Sequence, residues 1–335
     1  MSRIRDKMHI PGHHPPGALN AITDVPGVMC AHETIKNDRA CTGVTILSPC
    51  EGDVFAFPIP AAIAVGNGYG KLAGALQVEE LGTLESLIGL TNTLSVPAVM
   101  EGLIRHHLAH DPQRKSVNVL VGETNDGKLN DIQGLHVKPH HVERAIENLS
   151  RNVAEGDVGA GAGTVCFGFK GGIGTASRVV SKDVTGEGAD FTLGALVQSN
   201  YGGELAIYGH PVPKPPAAAS QDGSCMIIVI TDAPLCARQL KRLAKRGLIG
   251  MTNTGSIMHN GSGDFCVAAS NHPKNRHNRE ERGKDYYYLN DAQLNPFFEA
   301  CAEAVQEALY NSMTMATGTA DILPLIDNLP PGTYT

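Results

Sequence analysis

The sequence predicts an α/β protein in which sheets are covered by helices. Three observations lead to this prediction. Short apolar runs rich in Val and Ile recur between Gly and Pro residues, helical periodicity appears in four segments, and 38 of the 335 residues are glycine. So many glycines indicate tight turns and close backbone approaches, which suit a layered fold. The length allows one large domain or two ordinary ones.

Strands are predicted where an apolar run has strand length and no polar side, because such a strand is buried on both faces of its sheet. In chain order these runs are 43–47, 61–65, 117–121, 164–169, 191–197, 226–230 and 265–269.

Helices are predicted in four places, three of which have a start signal. Ser95 is a candidate N-cap before 96–108, Pro139 opens a helix to about 152, Pro234 opens one to about 250, and 291–312 is the longest periodic segment.

Two polar stretches are predicted to be surface loops. Residues 211–219 are Pro-rich, and we interpret them as a hairpin excursion, with a linker between two domains as the alternative. Residues 271–284 are charged and form an insertion before three consecutive tyrosines.

Composition excludes several functional classes. Lys and Arg number 27 against 34 Asp and Glu, and the resulting net charge of −7 disfavours nucleic acid and anionic lipid as partners. No apolar run approaches the ~20 residues that span a bilayer, and 1–16 lacks the apolar stretch of a signal peptide. We therefore expect no membrane partner and a cytoplasmic location.

Metal ions and cofactors are not expected either. The eight cysteines have no CxxC spacing and are interpreted as reduced packing residues, and the histidine pairs are adjacent rather than spaced as ligands. The glycines of 159–175 precede an apolar run, whereas a dinucleotide-binding loop follows a strand and opens a helix.

The segment 247–271, GLIGMTNTGSIMHNGSGDFCVAASN, is the richest in candidate chemistry. If Gly255 adopts a conformation closed to other residues, the Ser256 hydroxyl can attack the Gly255 carbonyl and transfer the acyl group to oxygen for release to water. Ser256 then becomes an N-terminal residue whose freed amine serves as its own base. An ordinary polar turn is the alternative, and Ser262 competes for the same role.

Further candidates follow predicted strands, where binding residues often lie. Lys170 is interpreted either as an exposed strand end or as a cation directed at an active site, and Asn200 either as an oxyanion donor or as the start of a turn. A polar cluster after run 117–121 is either a binding surface or a solvated hairpin turn. Its members are Glu123, Asn125, Asp126, Asn130 and Asp131.

Ordered sequence blocks along nearly the whole chain resemble the self-processing L-aminopeptidase D-Ala-esterase/amidase family, which includes β-peptidyl aminopeptidases and nylon-oligomer hydrolases. The blocks include AITDVPGVMCAH (21–32), LTNTLSV (90–96), VGETNDGKLNDIQGLHV (121–137), GAGAGTVCFGFKGGIGTASRVV (159–180), LVQSNYG (196–202), ITDAPL (230–235), TGSIMHNGSGDF (254–265) and FEACAEAVQEALYNSM (298–313).

The resemblance implies a four-layer α/β/β/α sandwich similar to that of N-terminal nucleophile hydrolases but differently connected. It also implies self-cleavage between Gly255 and Ser256 into an α chain of 1–255 and a β chain of 256–335, with the αβ units assembled into a homo-oligomer, often a tetramer. Ser256 matches the nucleophile, Asn200 the oxyanion residue, and Lys170 a lysine near the nucleophile. Short peptides or small amides are the implied substrates.

Two positions depart from the family pattern. Lys128 stands where relatives carry an aromatic residue, often Tyr, after the AspGly of ETNDG. In the late helix, Ala304 and Gln306 stand where some relatives have a Ser and an acidic residue, with Glu303 and Glu307 one turn apart beside them. Together with Glu123, the residues Lys128, Glu303, Gln306 and Glu307 are candidate substrate-binding positions.

The departures leave two alternatives to a self-activating serine aminopeptidase or amidase. Ornithine acetyltransferases resemble this family in architecture and pass the acyl group to an amine instead of water. An unprocessed relative that binds a small amide without turning it over is the non-catalytic alternative.

Overall fold

The structure is a computed structural model that describes residues 1–215, 222–319 and 321–329. The strands within these ranges are β1 (Met29–Lys36), β2 (Cys41–Ser48), β3 (Ile59–Gly68), β4 (Leu72–Ala73), β5 (Thr83–Leu84), β6 (Ile88–Asn92), β7 (Leu120–Thr124), β8 (Val165–Cys166), β9 (Phe169–Lys170), β10 (Gly172–Val180), β11 (Phe191–Asn200), β12 (Ala206–Ile207), β13 (His210–Pro211), β14 (Ser224–Thr231) and β15 (Gly263–Ser270). The α-helices are α1 (Ala75–Leu81), α2 (Val96–His110), α3 (Pro139–Glu147), α4 (Lys182–Thr185), α5 (Ala237–Thr252) and α6 (Asn295–Thr314).

Two large sheets form the centre of the protein. The first has the strand order β1-β2-β6-β7-β4 and the second has the order β10-β11-β14-β15-β3-β5. Most neighbouring strands are antiparallel, but β6 with β7 and β14 with β15 are parallel pairs. Two short hairpins, β8-β9 and β12-β13, lie outside these sheets.

Three hydrophobic cores separate four layers. One core packs α2 and α3 on the first sheet through residues such as Val99 and Val142. A second core lies between the sheets, where Leu90 and Leu120 share a cluster with Ile228. The third packs α5 and α6 on the second sheet. The predicted α/β/β/α sandwich is therefore confirmed, and its layers follow from strands that are apolar on both faces.

Most predicted elements are present with shifted ends. The helix expected from Pro139 to about 152 ends at Glu147, and the one expected from Pro234 begins at Ala237. The single strand expected over 164–169 is wrong. Phe167 and Gly168 both have positive φ angles, so the chain reverses there and forms the β8-β9 hairpin.

The Pro-rich segment is only partly described. The β12-β13 hairpin ends at Pro211, the first residue of this segment, and residues 216–219 lie outside the described residues. Within the described ranges, no helix is long and apolar enough to cross a membrane.

Gly174 is required for the close packing of α6 on β10. A Cβ atom at this position would lie 1.9 Å from the carbonyl oxygen of Ala308 in α6. We therefore expect Gly174→Ala to lower the free energy of unfolding by about 3 kcal/mol, measured by urea denaturation followed by circular dichroism. Gly188→Ala is the control, because a Cβ there would have no heavy atom within 4 Å. Equal stability of the two variants would contradict this account of the packing.

Candidate active site

A cavity of about 950 Å³ opens at one end of the sandwich. The second sheet contributes the end of β11 at Asn200, the end of β3 at Gly68 and the start of β14 at Ser224. The first sheet contributes Glu123 at the end of β7. Both sheets therefore place polar residues at one opening, as strand ends in α/β proteins commonly do.

Glu123 is a buried carboxylate at the wall of this cavity. Its side chain accepts hydrogen bonds from the backbone N–H of Lys71, at 3.0 Å, and from the hydroxyl of Thr93. The Lys71 ammonium lies 3.7 Å from the carboxylate. Lys128 lines the same cavity. The wall thus carries both signs of charge.

The rest of the polar cluster after β7 is divided between the cavity and the protein interior. Asn125 lines the cavity, whereas Asp126 is buried and accepts hydrogen bonds from Thr42 and Asn130. Burial raises the pKa of Asp126. The solvated hairpin turn considered for this segment is therefore wrong at Asp126.

Asn200 lines the cavity with its amide held in one orientation. Its Oδ1 accepts the backbone N–H of Val165 at 3.0 Å. Among the described residues, the Nδ2 group has no acceptor, so it is a donor available to a ligand in the cavity. Its proposed role as an oxyanion donor requires such an available N–H group and stays a prediction.

Lys170 is connected to Asn200 through Val165 and is not among the residues that line the cavity. It pairs with Val165 across the β8-β9 hairpin, and its ammonium donates to the carbonyl oxygens of Gly161 and Gly171 at 3.0 and 2.8 Å. Only 1% of the residue is exposed, so the exposed strand end considered for Lys170 is excluded. Burial lowers its pKa to about 8, which leaves it mostly protonated at neutral pH.

The Gly255–Ser256 bond is connected to the cavity through Tyr201. Tyr201 lines the cavity, and its hydroxyl lies 3.1 Å from the hydroxyl of Thr254, the residue before Gly255. Ser256 is 2% exposed, and its hydroxyl accepts the backbone N–H of Met258 at 3.2 Å. Ser256 itself is not part of the cavity wall in this uncleaved chain.

Gly255 has a strained setting that only glycine accepts. Its φ angle is +107°, and a Cβ atom would lie 1.8 Å from the carbonyl oxygen of Glu204. The backbone N–H of Glu204 donates to the Gly255 carbonyl oxygen at 3.1 Å. This hydrogen bond withdraws electron density from the carbonyl carbon that Ser256 would attack.

The segment after Ser256 is held at the end of β3 by hydrogen bonds. The Asn67 amide donates to the carbonyl oxygens of His259, Asn260 and Ser262. The Ser262 hydroxyl in turn donates to Asp264 at 2.9 Å. The hydroxyl of Ser262, the competing candidate nucleophile, is thus hydrogen-bonded to a carboxylate.

Glu303 and Glu307 in α6 lie away from the cavity. Glu307 accepts from Arg5, Arg178 and Asn20, while Glu303 accepts from Arg178 and from the backbone of the N-terminal segment. Although burial opposes ionisation, the hydrogen bond from Arg5 and the charge of Arg178 keep the pKa of Glu307 below its usual range. These carboxylates fasten the N-terminal segment to α6, and their predicted role in substrate binding stays a prediction.

Gln306, on the same helix, contacts the segment that carries the candidate nucleophile. Its Oε1 accepts from Asn253 at 3.3 Å, and its Nε2 donates to the Tyr310 hydroxyl at 3.0 Å. Asn253 is two residues before Gly255.

Within the described ranges, no group of three or more His, Cys, Asp or Glu side chains is arranged to hold a metal ion.

Comparison with known proteins adds the family. The sequence matches peptidase family S58 over residues 20–322. The chain belongs to this family. It is 37% identical to the β-peptidyl aminopeptidase of Sphingosinicella microcystinivorans over 345 aligned positions, which cover 94% of this chain and 86% of the relative.

Solved structures of similar proteins agree with the S58 assignment. The PH0078 protein from Pyrococcus horikoshii OT3 has a TM-score of 0.87 and 41% identity, with 94% of this chain and 92% of that chain covered. The L-aminopeptidase D-Ala-esterase/amidase from Ochrobactrum anthropi, described as a variant of the Ntn hydrolase fold, has a TM-score of 0.85 and 33% identity. The alignment covers 94% of this chain and 91% of that one.

Several contacts in this S58 chain carry little sequence signal. Tyr201 directly follows the candidate Asn200, and this adjacency is the sequence feature that could have indicated a place near the site. Glu204 acts through its backbone, which no side-chain pattern reveals. Asn67 lies in GlyAsnGly, a combination typical of turns, and its three carbonyl partners are nearly two hundred residues away.

Asp264 is expected to make stability depend on pH. It is fully buried, its Oδ2 has no hydrogen-bond partner among the described residues, and burial raises its pKa from 3.8 to about 6. The folded state thus binds the proton more tightly than the unfolded state, so this contribution to stability is present below pH 4 and is lost as the pH rises through 6. We expect Asp264→Asn to be more stable than wild type at pH 8 by up to about 3 kcal/mol.

The measurement is the thermal unfolding midpoint of both proteins between pH 4 and pH 8. The difference between them should shrink toward pH 4, where wild-type Asp264 is protonated. Asp285→Asn, a change at an exposed position, is the control and should leave the profile unchanged. A pH-independent difference for Asp264→Asn would show that the carboxyl does not titrate in this way.

Proposed function

We propose that this S58 protein is a self-activating N-terminal serine hydrolase, an aminopeptidase or amidase that cleaves amide or ester bonds of short peptides or small amides. The observation that supports this proposal is the setting of the Gly255–Ser256 bond. Its carbonyl is polarised by a backbone N–H, its glycine is held at positive φ, and the next residue is a buried serine.

Activation begins with attack of the Ser256 Oγ on the Gly255 carbonyl carbon. The C–N bond breaks as the Ser256 nitrogen takes up a proton, which leaves an ester between Gly255 and the serine oxygen. Water then hydrolyses the ester and frees the Gly255 carboxylate. The products are an α chain of 1–255 and a β chain of 256–335 with Ser256 at its N-terminus.

The same hydroxyl then attacks substrates. The freed α-amine of Ser256 acts as base for its own hydroxyl and returns the proton to the leaving amine or alcohol. The Nδ2 group of Asn200 stabilises the oxyanion of the tetrahedral intermediate. Lys170, connected to Asn200 through Val165 of the β8-β9 hairpin, adds positive potential near the oxyanion. Water then releases the acyl group from Ser256.

The charges of the cavity favour a short peptide with both ends ionised. Glu123 is buried at the cavity wall, and a substrate ammonium would compete there with the Lys71 ammonium, which lies 3.7 Å from the carboxylate. Lys71 and Lys128 bring cations to the same cavity, which would otherwise repel a peptide carboxylate through Glu123 and Asp222. Gln306 supports the nucleophile segment through Asn253.

Assembly and location belong to the same proposal. Assembly of αβ units into a homo-oligomer and a cytoplasmic location stay predictions, and the native mass of the purified protein tests the first of them.

Ser256→Ala is expected to stop self-cleavage. Wild type should give a small chain of 335 − 255 = 80 residues, about 8.5 kDa, beginning at Ser256. Ser256→Ala should remain a single 35.4 kDa chain because the attacking oxygen is gone. The measurement is the intact mass under denaturing conditions. Ser262→Ala is the matched control and should still cleave; a small chain from Ser256→Ala, or none from wild type, would refute self-activation at this bond.

Glu123→Gln is expected to weaken substrate use without preventing activation. Loss of the carboxylate removes the partner of the substrate ammonium, so kcat/KM for dipeptide amides should fall at least tenfold, mostly through KM. Complete conversion to the 80-residue chain in the same preparation shows that the variant has folded. Glu80→Gln, at an exposed position, should behave as wild type. An unchanged KM would exclude Glu123 from ammonium recognition.

A further inference from the structure

A second cavity, of about 550 Å³, lies at the other end of the second sheet. Pro60, near the start of β3, lines this cavity, whereas Gly68, at the end of β3, lines the first. Eight residues of extended chain separate them by about 26 Å. Helix α5 spans the same distance, with Ala237 at the second cavity and the Gly255–Ser256 bond beyond its other end. A small substrate in the first cavity does not reach the second.

The wall of the second cavity is positively charged. Arg238, Arg279 and Lys284 line it together with a single carboxylate, Glu85. Glu85 is already engaged, since it pairs with Arg279 and accepts the backbone N–H of Asn118. Arg279 is paired with Glu85 and Arg238 with Asp291, so the surplus at this wall is the one positive charge of Lys284, in a chain whose net charge is −7.

Lys284 is the cation best placed to receive a ligand. Arg238 pairs with Asp291 and Arg279 pairs with Glu85. Among the residues that the structure describes, Lys284 has no ion pair or hydrogen bond through its ammonium. A half-buried, unpaired ammonium in a concave wall attracts an anion more strongly than a fully solvated one.

Aromatic rings form another side of the same cavity. Tyr286 and Tyr288 stack with centroids 5.6 Å apart and an interplanar angle of 12°. Their exposed fractions are 51% and 38%. The His277 ring meets Tyr286 edge-on at 4.8 Å, and its Nε2 is shielded from solvent without a hydrogen-bond partner among the described residues. Exposed stacked rings beside cations are suited to a planar ligand.

The loop that carries these groups is fixed in place. The Asn275 side chain exchanges two hydrogen bonds with the backbone of Tyr287, at 2.8 and 3.0 Å. Gln239 in α5 donates to the carbonyl oxygen of Leu289 at 2.7 Å. The charged 271–284 segment and the tyrosines after it thus form a preformed wall rather than a cover for the first cavity.

We propose that the second cavity binds a small molecule in which a planar ring is joined to an anionic group, a carboxylate or a phosphate. The anion lies against Lys284, and the ring packs on the Tyr286–Tyr288 pair. The N-terminal turn of α5 lies at the same cavity, and the partial positive charge of its backbone N–H groups favours a bound anion. This binding requires neither the Ser256 nucleophile nor the first cavity.

The test is isothermal calorimetry on the purified protein with three probes: adenosine monophosphate, benzoate and inorganic phosphate. We expect at least one of the two ring-bearing anions to bind one site per chain, and inorganic phosphate to bind at least tenfold more weakly. Lys284→Ala should weaken that binding at least tenfold, and Tyr286→Ala should reduce the preference for the ring. Lys138→Ala, at an exposed position in the other helical layer, should bind as wild type.

Four results would overturn the proposal: no heat from either ring-bearing anion at about 1 mM, equal affinity for inorganic phosphate, unchanged binding by Lys284→Ala, or unchanged ring preference in Tyr286→Ala. Ser256→Ala separates this site from the proposed catalysis. It should bind the probes as wild type does even if it does not cleave itself.

Discussion

The architecture of this S58 chain depends on the pairing of β15 between β14 and β3. β14 and β15 follow each other in the chain with α5 between them, whereas β3 comes from a distant part, and β15 forms parallel bonds with β14 and antiparallel bonds with β3. The position of β15 brings the preceding loop, with Ser256, to the sheet end where Asn200 and Gly68 lie. Because β15 and α6 are buried in the interior, a cut at Gly255 would leave both pieces held by the same contacts.

The layers of the fold could be predicted from the sequence because they depend on strong local signals. Runs such as 226–230 are apolar on both faces, and α2 begins directly after Ser95, although the Ser95 side chain makes no capping hydrogen bond. The strand Gly172–Val180 was not predicted from its residues, since its glycines and Ser177 resemble a loop. Those glycines are there because α6 lies directly on β10, a tertiary constraint that no local pattern shows.

The candidate site could be predicted less completely, for the same reason. Ser256, Asn200 and Glu123 are side chains beside recognisable turns and strand ends, so their types and positions indicated chemistry. Other features of the site depend on contacts between segments far apart in the chain. These are the hydrogen bond from the Glu204 N–H, the hydrogen bonds from the Asn67 amide, and the contact of Tyr201 with Thr254. Lys170 illustrates the limit, because its neighbours gave no means of distinguishing a buried cation from an exposed one.

The contact between Gln306 and Asn253 also bears on when the peptide bond can be cut. The segment before Gly255 ends α5, and α5 packs on α6, which follows the Gly255–Ser256 bond in the chain. Until α6 has folded, that segment keeps its contacts with Tyr201 and Glu204 but lacks the hydrogen bond to Gln306 and the packing of α5 on α6. Under the proposed mechanism, self-cleavage is therefore expected to follow the folding of the part of the chain beyond the cut bond onto the part before it.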